Sequence, residues 1–518
     1  MKKNKFFFFI LFSLSLLFYT LSQPSIIFSD GISFCAWGAY IPLFVLLEQI
    51  SLSAALFLGF LFGTLLSCTL FFWLSSFGFI ALTFVSFLFA LFYSILFFFI
   101  VLSKKIFPES AVPLFWIFRA FLILTAEFLR IHGLFSFPYG NIAYSQWKNP
   151  FLLNLSSYMG VWGVTLFILL VNSYFASLIT EKKILNKKYL LKGFSLFFCI
   201  YLFSGISFFV FKKIFSKNKS VGIPIALIQC PSTAKSSGID SYEKDFLLLK
   251  NLSEKALSSH PNTELIVWPE TAFVPDFMHF SSDSSDRRRH KLSLDLIDFL
   301  NNSHVSFIIG SNYGDERGIH NSAIFYDSEN KNFQIYNKIH LVPFTEKWPA
   351  FFDSDIFTPI KRSLNCDDFA PGKDIKVFPY KSFRFAVPIC FEDSFSSFIK
   401  DMKFFSCDFF VNISDDAWAG SKAEKNMHLA MSVFRSAEEA TPFARSTIDG
   451  MTCIIDAHGS IVTCLECGSD DFLFGIIEPV AFRSLYSLIG DIPVIFITVT
   501  VLFALLILSA VFVKVKLW

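Results

Sequence analysis

The sequence predicts a chain of two parts: a multi-span α-helical membrane domain, and a globular α/β domain of layered sheets with helices outside. Three observations carry that prediction. Of 518 residues, 54% are hydrophobic and 72 are Phe, and the mean hydropathy of +0.55 argues against a single soluble domain. The apolar residues gather before about position 212 and after about position 489, in runs near or above the ~18 residues of a membrane span. Between them, from Lys217 to Arg483, charges, turns and alternating strands return over a length sufficient for a core. A net charge of +2 without a basic stripe interleaved with aromatics does not suit nucleic acid as a partner.

Eight spans are predicted, near 6–22, 34–49, 52–75, 77–103, 110–131, 155–180, 190–211 and 490–513. Lys2, Lys3 and Lys5 give the first the look of a signal peptide, but no small-residue cleavage site closes it and more spans follow. Positive charge in short loops sets orientation. Lys2, Lys3 and Lys5, then Lys104-Lys105, then Lys182-Lys183 with Lys187-Lys188, then Lys514 and Lys516 fall on one side by parity, which should be the cytoplasm. Lys212, Lys213, Lys217 and Lys219 oppose this, but they lead into a long domain, and such domains translocate largely regardless of charge. The globular part is therefore expected outside. The expected boundaries are 1–216 for the membrane domain, 217–483 for the globular domain and 484–518 for a last span. Arg119, Glu127 and Arg130 lie in or at the edge of the fifth span, where charges face a partner, a cavity or the interface, and snorkelling is the plain alternative. The aromatic and polar stretch from Gly133 to Gln146 suits the headgroup interface.

Of ten cysteines, Cys35, Cys68 and Cys199 lie in spans and seven in the exported part. With Cys390 kept as a free thiol, the other six could pair in an oxidising compartment. Cys464-Leu-Glu-Cys467 is a lone CxxC that reads as structural or as a local disulfide rather than a zinc site.

In the globular part, Val221–Gln229 reads as a first strand, followed by a helix from about Ser241 to Ser259 with Leu247, Leu248, Leu252 and Leu257 as its stripe. Glu264-Leu-Ile-Val-Trp-Pro-Glu270 is a buried strand that Pro269 stops, leaving a carboxylate at its C-terminal end, the edge where α/β sheets put their sites. After a solvated loop from Ser281 to His290 come a helix to about Asn302, a strand from Val305 to Ser311, and a pair from Asn321 to Tyr326 and Phe333 to Tyr336. Lys338 then leaves the sheet. Phe383-Arg-Phe-Ala-Val-Pro-Ile-Cys390 delivers a cysteine to a strand end before the helix-starting Glu392-Asp393-Ser394, where the helix dipole should favour thiolate. Alone, such a Cys is more often a small buried hydrophobe. Phe409 to Trp418 is a strand running into a polar turn, a helix carries His428, Met431, Arg435 and Glu438, and strands from Pro442 to Gly450 and Met451 to Asp456, with a turn at Gly459, close the domain.

A carboxylate, an amine and a thiol at three strand ends form a coherent set: base, oxyanion stabiliser and nucleophile. Trp268-Pro-Glu270, Tyr336-Asn-Lys338 and Pro388-Ile-Cys390-Phe-Glu392 resemble the three motifs of the carbon–nitrogen hydrolase (nitrilase) superfamily. With the eight-span setting, Lys338-Ile-His340-Leu-Val-Pro-Phe344-Thr-Glu346, Ser414-Asp-Asp416-Ala-Trp418, Leu488-Ile-Gly490-Asp-Ile-Pro493, Glu127-Phe-Leu-Arg130, Phe137-Pro138 and Tyr144-Ser-Gln146 look like the apolipoprotein N-acyltransferases. That resemblance implies a nitrilase-like α-β-β-α sandwich beside the membrane helices. It implies Glu270 as base, Lys338 as oxyanion stabiliser and Cys390 as nucleophile, with Glu346, Phe391, Glu392 and Trp418 on the substrate side of the site and no metal or cofactor. Departures from the family pattern are Phe391 where Tyr is usual, Asp415 and Asp449 where Asn is usual, Ala419 where Phe is usual, and Cys230-Pro-Ser-Thr-Ala-Lys235-Ser236 in place of a polar, Trp-containing stretch.

The expected activity is transfer of an acyl chain from a membrane phospholipid, through a Cys390 thioester, to the α-amino group of a lipoprotein's N-terminal diacylglyceryl-cysteine. The setting it implies is a monomer in the bacterial cytoplasmic (inner) membrane, with the catalytic domain on the periplasmic side. The alternatives are a membrane-tethered amidase or nitrilase, and a catalytically dead scaffold or transporter, for which no Gly- or Pro-broken spans related as repeats are seen.

Overall fold

A computed structural model of the chain describes residues 2–108, 113–132, 136–217, 221–230, 238–348, 358 and 367–516. The expected segment 231–236, Phe135 and Cys366 lie outside the described residues. Two compact units emerge, one formed by Met1–Phe211, Ser421–Ala430 and Leu488–Trp518, the other by Lys212–Gly420 and Met431–Ser487.

The first unit is helical. All eight expected spans hold helix, and five described helices are long and apolar enough to cross a membrane: Lys5–Ser22, Leu52–Leu70, Phe79–Ile106, Val161–Thr180 and Lys187–Ile214. The others differ for local reasons. The expected span 34–49 is broken into a 3-10 turn Ser33–Trp37 and a short helix Ile41–Leu47, because Gly38 ends one piece and Pro42 begins the next. The segment expected at 155–180 divides into Pro150–Met159 and Val161–Thr180 at Gly160, whose φ of 64° and ψ of −165° suit only glycine. Phe115–His132 carries Arg119, Glu127 and Arg130, and the final helix runs from Ile492 to Lys516.

The charges in Phe115–His132 are paired. Arg119 meets Glu48 at 2.8 Å and donates to the hydroxyl and carbonyl oxygens of Ser173, and Arg130 meets Glu127 at 2.7 Å while donating to the carbonyls of Phe137 and Tyr139. Snorkelling is thus not how these arginines are accommodated. Tyr139, Tyr144 and Gln146, expected at a headgroup interface, are buried within the unit, and Gln146 donates to the Ser33 carbonyl. Close approach fixes the hairpin of Leu52–Leu70 and Phe79–Ile106: a Cβ on Gly59 would lie 2.4 Å from the Tyr93 carbonyl oxygen, and one on Gly63 2.2 Å from that of Phe89.

The second unit is two six-stranded sheets. The strands are β1 Ile223–Gln229, β2 Leu265–Val267, β3 Ser306–Asp315, β4 Gly318–Asp327, β5 Asn332–Asn337, β6 Val377–Tyr380, β7 Phe383–Ala386, β8 Phe409–Asp415, β9 Phe443–Ile448, β10 Cys453–Ile455, β11 Ile461–Cys464 and β12 Asp471–Ile477. One sheet runs β12-β1-β2-β3-β4-β5, the other β11-β10-β9-β8-β7-β6. Each has a parallel centre, β1-β2-β3 and β7-β8-β9, flanked by antiparallel strands. The sheets face each other through Phe325 against Phe385 and through the Ser446 hydroxyl, which donates to the carbonyls of Ile228 and Val267. Helices Ile239–Ser259 and Arg287–Asn302 cover the first sheet by packing Phe246, Leu249, Leu296 and Leu300 onto Ile266, Trp268 and Phe307. Ser396–Phe404 and the latter half of Lys422–Glu439 belong with the second. This is the expected α-β-β-α sandwich. Three strands were absent from the sequence reading: β6; β11, of which only the turn at Gly459 was read; and β12, which returns across the whole domain to pair with β1.

Candidate active site

Glu270 sits where β2 ends. Trp268 makes the last ladder bond, to Ile308; Pro269 has no N–H to continue it, and Thr271 turns away with a φ of 48°. The turn closes over Gly310 of β3, where a Cβ would stand 2.1 Å from the Pro269 carbonyl oxygen and 2.7 Å from the Glu270 Cα. The Glu270 carboxylate is 4% exposed. Its Oε1 accepts from Lys338 Nζ at 2.9 Å and from Asn321 Nδ2 at 2.7 Å, and its Oε2 accepts from the Asp415 backbone N–H at 2.8 Å.

Lys338 follows β5. Its N–H donates to the Asn321 carbonyl and its C=O accepts from the Gly372 N–H, so both sides of its backbone are held. The ammonium is buried between two carboxylates, 2.9 Å from Glu270 Oε1 and 2.9 Å from Glu346 Oε2. Burial alone would lower its pKa, but Glu270 and Glu346 hold it well above the usual lysine value, so it is a fixed cation. Glu346 is fixed in turn by the Val342 N–H and by the second use of Asn321, whose single amide nitrogen donates to Glu270 and Glu346 at 2.7 Å each.

Cys390 leaves β7 through Val387-Pro388-Ile389, with Ile389 bridging Ile413 of the next strand. It begins a 3-10 turn, Cys390–Ser394, with a φ of 49°, a left-handed conformation that a non-glycine residue adopts at some cost. Here the structure corrects the sequence expectation. The element behind the thiol is a single tight turn, with the α-helix starting only at Ser396, and there is little dipole to draw on. Burial first, then the Glu270 charge, push the Cys390 thiol well above its ordinary value, against the opposing pull of Lys338. The resting sulfur is therefore a neutral thiol whose proton must be taken by a neighbouring base.

Glu392 is fully buried. One oxygen accepts from the Tyr336 hydroxyl at 2.8 Å and from the N–H groups of Ile339 and His340, and the other from the Ile389 N–H at 2.8 Å. Expected on the substrate side, it instead ties the Cys390 turn to the Lys338 segment. Burial raises its pKa to about 7 despite these donors. Phe391 is half-buried and edge-on to Phe395, with ring centroids 5.0 Å apart. Trp418 is half-buried in the turn Ala417–Ala419 that follows β8. Behind these, the buried Arg445 joins Asp393 at 3.1 Å to Asp416 at 2.8 Å, and Ser414 donates to Asp416.

The structure thus brings Glu270, Lys338 and Glu346 into direct contact and sets Cys390 within reach of their charges. Sequence reasoning missed Asn321, Gly310 and the bonding role of Arg445. Asn321 and Arg445 leave one trace each, a polar or charged residue inside an apolar strand pattern; Gly310 leaves none. At Asp415 it is the backbone N–H that meets Glu270, while its side chain accepts from the Ala417 N–H. Among the described residues, no group of three or more His, Cys, Asp or Glu side chains is arranged to hold a metal ion.

Comparison with known proteins matches residues 7–174 to the family profile "Apolipoprotein N-acyltransferase N-terminal domain" and residues 224–477 to "Carbon-nitrogen hydrolase". The apolipoprotein N-acyltransferase 1 of Treponema denticola is 30% identical over 94% of this chain and 94% of its own. That of Treponema pallidum is 30% identical over 88% of this chain and 87% of its own. Among solved structures, a carbon-nitrogen hydrolase from Helicobacter pylori G27 aligns with 50% of this chain and 89% of its own, at 16% identity and a TM-score of 0.38.

Proposed function

The chain belongs to the apolipoprotein N-acyltransferase family, and on that premise we propose a two-step acyl transfer with Glu270, Lys338 and Cys390 as its chemical groups. The observation that carries this reading is the buried cluster of one ammonium between two carboxylates beside a neutral thiol. In the first step Glu270 takes the Cys390 proton, and the sulfur attacks the ester carbonyl of a phospholipid. Lys338 faces the developing oxyanion. The tetrahedral intermediate collapses to a Cys390 thioester, and Glu270 returns its proton to the departing lysophospholipid oxygen. In the second step the α-amino group of a diacylglyceryl-cysteine attacks the thioester, giving up a proton through Glu270 as the amide forms and the thiol is restored.

Proton transfer from Cys390 to Glu270 moves charge without creating any, which suits a buried site where new charge would be costly. It also leaves Lys338 with one fewer anionic partner at the moment the oxyanion needs it. Water must be kept from the thioester, which fits the 5% exposure of Cys390. The donor phospholipid, the lipoprotein acceptor, the monomeric state and a cytoplasmic-membrane location with the catalytic domain outside belong to this same reading. The positive charge in the short loops and the five apolar helices support it.

Incubating the purified full-length chain with phospholipid and mapping its peptides by mass spectrometry tests the reading. An acyl group on Cys390, discharged by a diacylglyceryl-cysteine peptide, is the expected result. Absence of the adduct together with hydrolysis of soluble amides would replace it with a membrane-tethered amidase.

A further inference from the structure

The sequence offers Cys464 and Cys467 as a local pair, but the strands pair Cys464 with a different residue. In the antiparallel ladder of β10 and β11, Cys453 stands directly opposite Cys464. The Leu465 N–H donates to the Thr452 carbonyl, which makes Thr452 and Leu465 a hydrogen-bonded pair. Because such pairs alternate along an antiparallel ladder, Cys453 and Cys464 form the adjoining non-hydrogen-bonded pair, where Cα atoms approach to about 4.5 Å and side chains come closest. A disulfide needs a Cα separation of roughly 4.4–6.8 Å with both Cβ atoms on one face. Both thiols are free as the chain stands, Cys453 buried and Cys464 exposed on the sheet's edge strand. Cys467 is engaged elsewhere, its sulfur 3.2 Å from that of Met451.

We propose that Cys453 and Cys464 are a cross-strand disulfide site, closed by thiol–disulfide exchange with an oxidising disulfide. The exposed Cys464 sulfur attacks the oxidant, forming a mixed disulfide and releasing one thiol. The Cys453 sulfur then displaces the second thiol. Two S–H bonds are lost and one S–S bond is made, and the oxidant, reduced by two electrons, carries away both protons. Burial pushes the Cys453 thiol up to about 12, so the second step is the slow one. The link would staple the exposed edge strand and end a row that continues across β9, where Cys453 pairs with Arg445, the residue that holds Asp393 and Asp416 behind the site. Closure in the cell rests on the reading that this domain lies outside the cytoplasm; the pairing itself does not.

The test uses the full-length chain in detergent, reduced and then treated with oxidised glutathione, quenched with N-ethylmaleimide and mapped by mass spectrometry. The expected result is a joined peptide pair containing Cys453 and Cys464, with a melting temperature about 5 °C above that of the reduced chain. Cys464→Ser abolishes both and Cys467→Ser neither. A Cys464 that remains alkylatable, stays as a glutathione adduct or joins Cys467 overturns the proposal. Closure in vitro with reduced cysteines in chains quenched directly from cells upholds the pairing and counts against the external location instead.

Discussion

The helical unit and the candidate site of the α/β unit hold buried charge differently. In the helical unit Arg119 meets one carboxylate, Glu48, and Arg130 meets another, Glu127, while backbone or hydroxyl oxygens accept further hydrogen bonds from both. In the α/β unit Lys338 is shared by Glu270 and Glu346, leaving an excess negative charge beside a thiol that is itself held neutral. Balanced pairs offset the cost of burial and hold helices in place. Beside the Cys390 thiol, the unbalanced cluster keeps a proton acceptor ready.

The sharpest way to break this contrast is to remove the sulfur. Cys390→Ala is expected to reduce acyl transfer below detection, with the melting temperature within a few degrees of the parent, measured with a lipopeptide acceptor and by calorimetry. Glu270→Gln keeps the shape and the bond to Asn321 but removes the base; kcat should fall by about a thousandfold, read as loss of the acyl-Cys390 burst. Glu127→Gln strikes a balanced pair, leaving Arg130 buried without its counter-charge. It should cost about 3 kcal/mol of stability, seen in denaturation of the detergent-solubilised chain, with the rate of Cys390 acylation per folded molecule changed little. Asp415→Asn should leave kcat within about twofold, since the contact to Glu270 is made by the backbone; a larger drop would assign the side chain a part in the reaction.

Acidity supplies a smaller test. Burial raises the folded-state pKa of Glu392 to about 7 and that of Glu439 to about 8, both above their unfolded values. The native state therefore binds these protons more tightly. The stability they contribute is whole below the ordinary carboxylate range and is lost as pH rises through those values. The melting temperature should decline from about pH 5 to about pH 8, and Glu439→Gln should flatten the decline.

Much of the site was legible because strand ends announce themselves. Pro269 stops a buried strand and strands Glu270, and the apolar run before Cys390 ends in acidic residues that start a turn. The same local logic misled at Cys390, where an acidic, Ser-bearing stretch suggested a helix dipole, and desolvation and the Glu270 charge outweigh what one 3-10 turn offers. Long-range consequences were hidden. No local pattern tells that Gly310 must lack a Cβ for the Glu270 turn to close over it, or that one Asn321 amide serves two carboxylates. The pairing of β12 with β1 across the domain likewise depends on partners far away in the chain. In the helical unit, hydropathy found all eight segments but not their interruptions at Gly38 and Gly160, where composition stays apolar and only backbone geometry changes.

The Glu392 carboxylate bonds to backbone on both sides of the sandwich, to Ile339 and His340 beyond β5 in one sheet and to Ile389 beyond β7 in the other. It works as a pin through two plates. Sliding one layer over the other would shear that pin, so mechanical or thermal loosening of the sandwich should register as lost alignment between the lysine and the sulfur, ahead of any global unfolding.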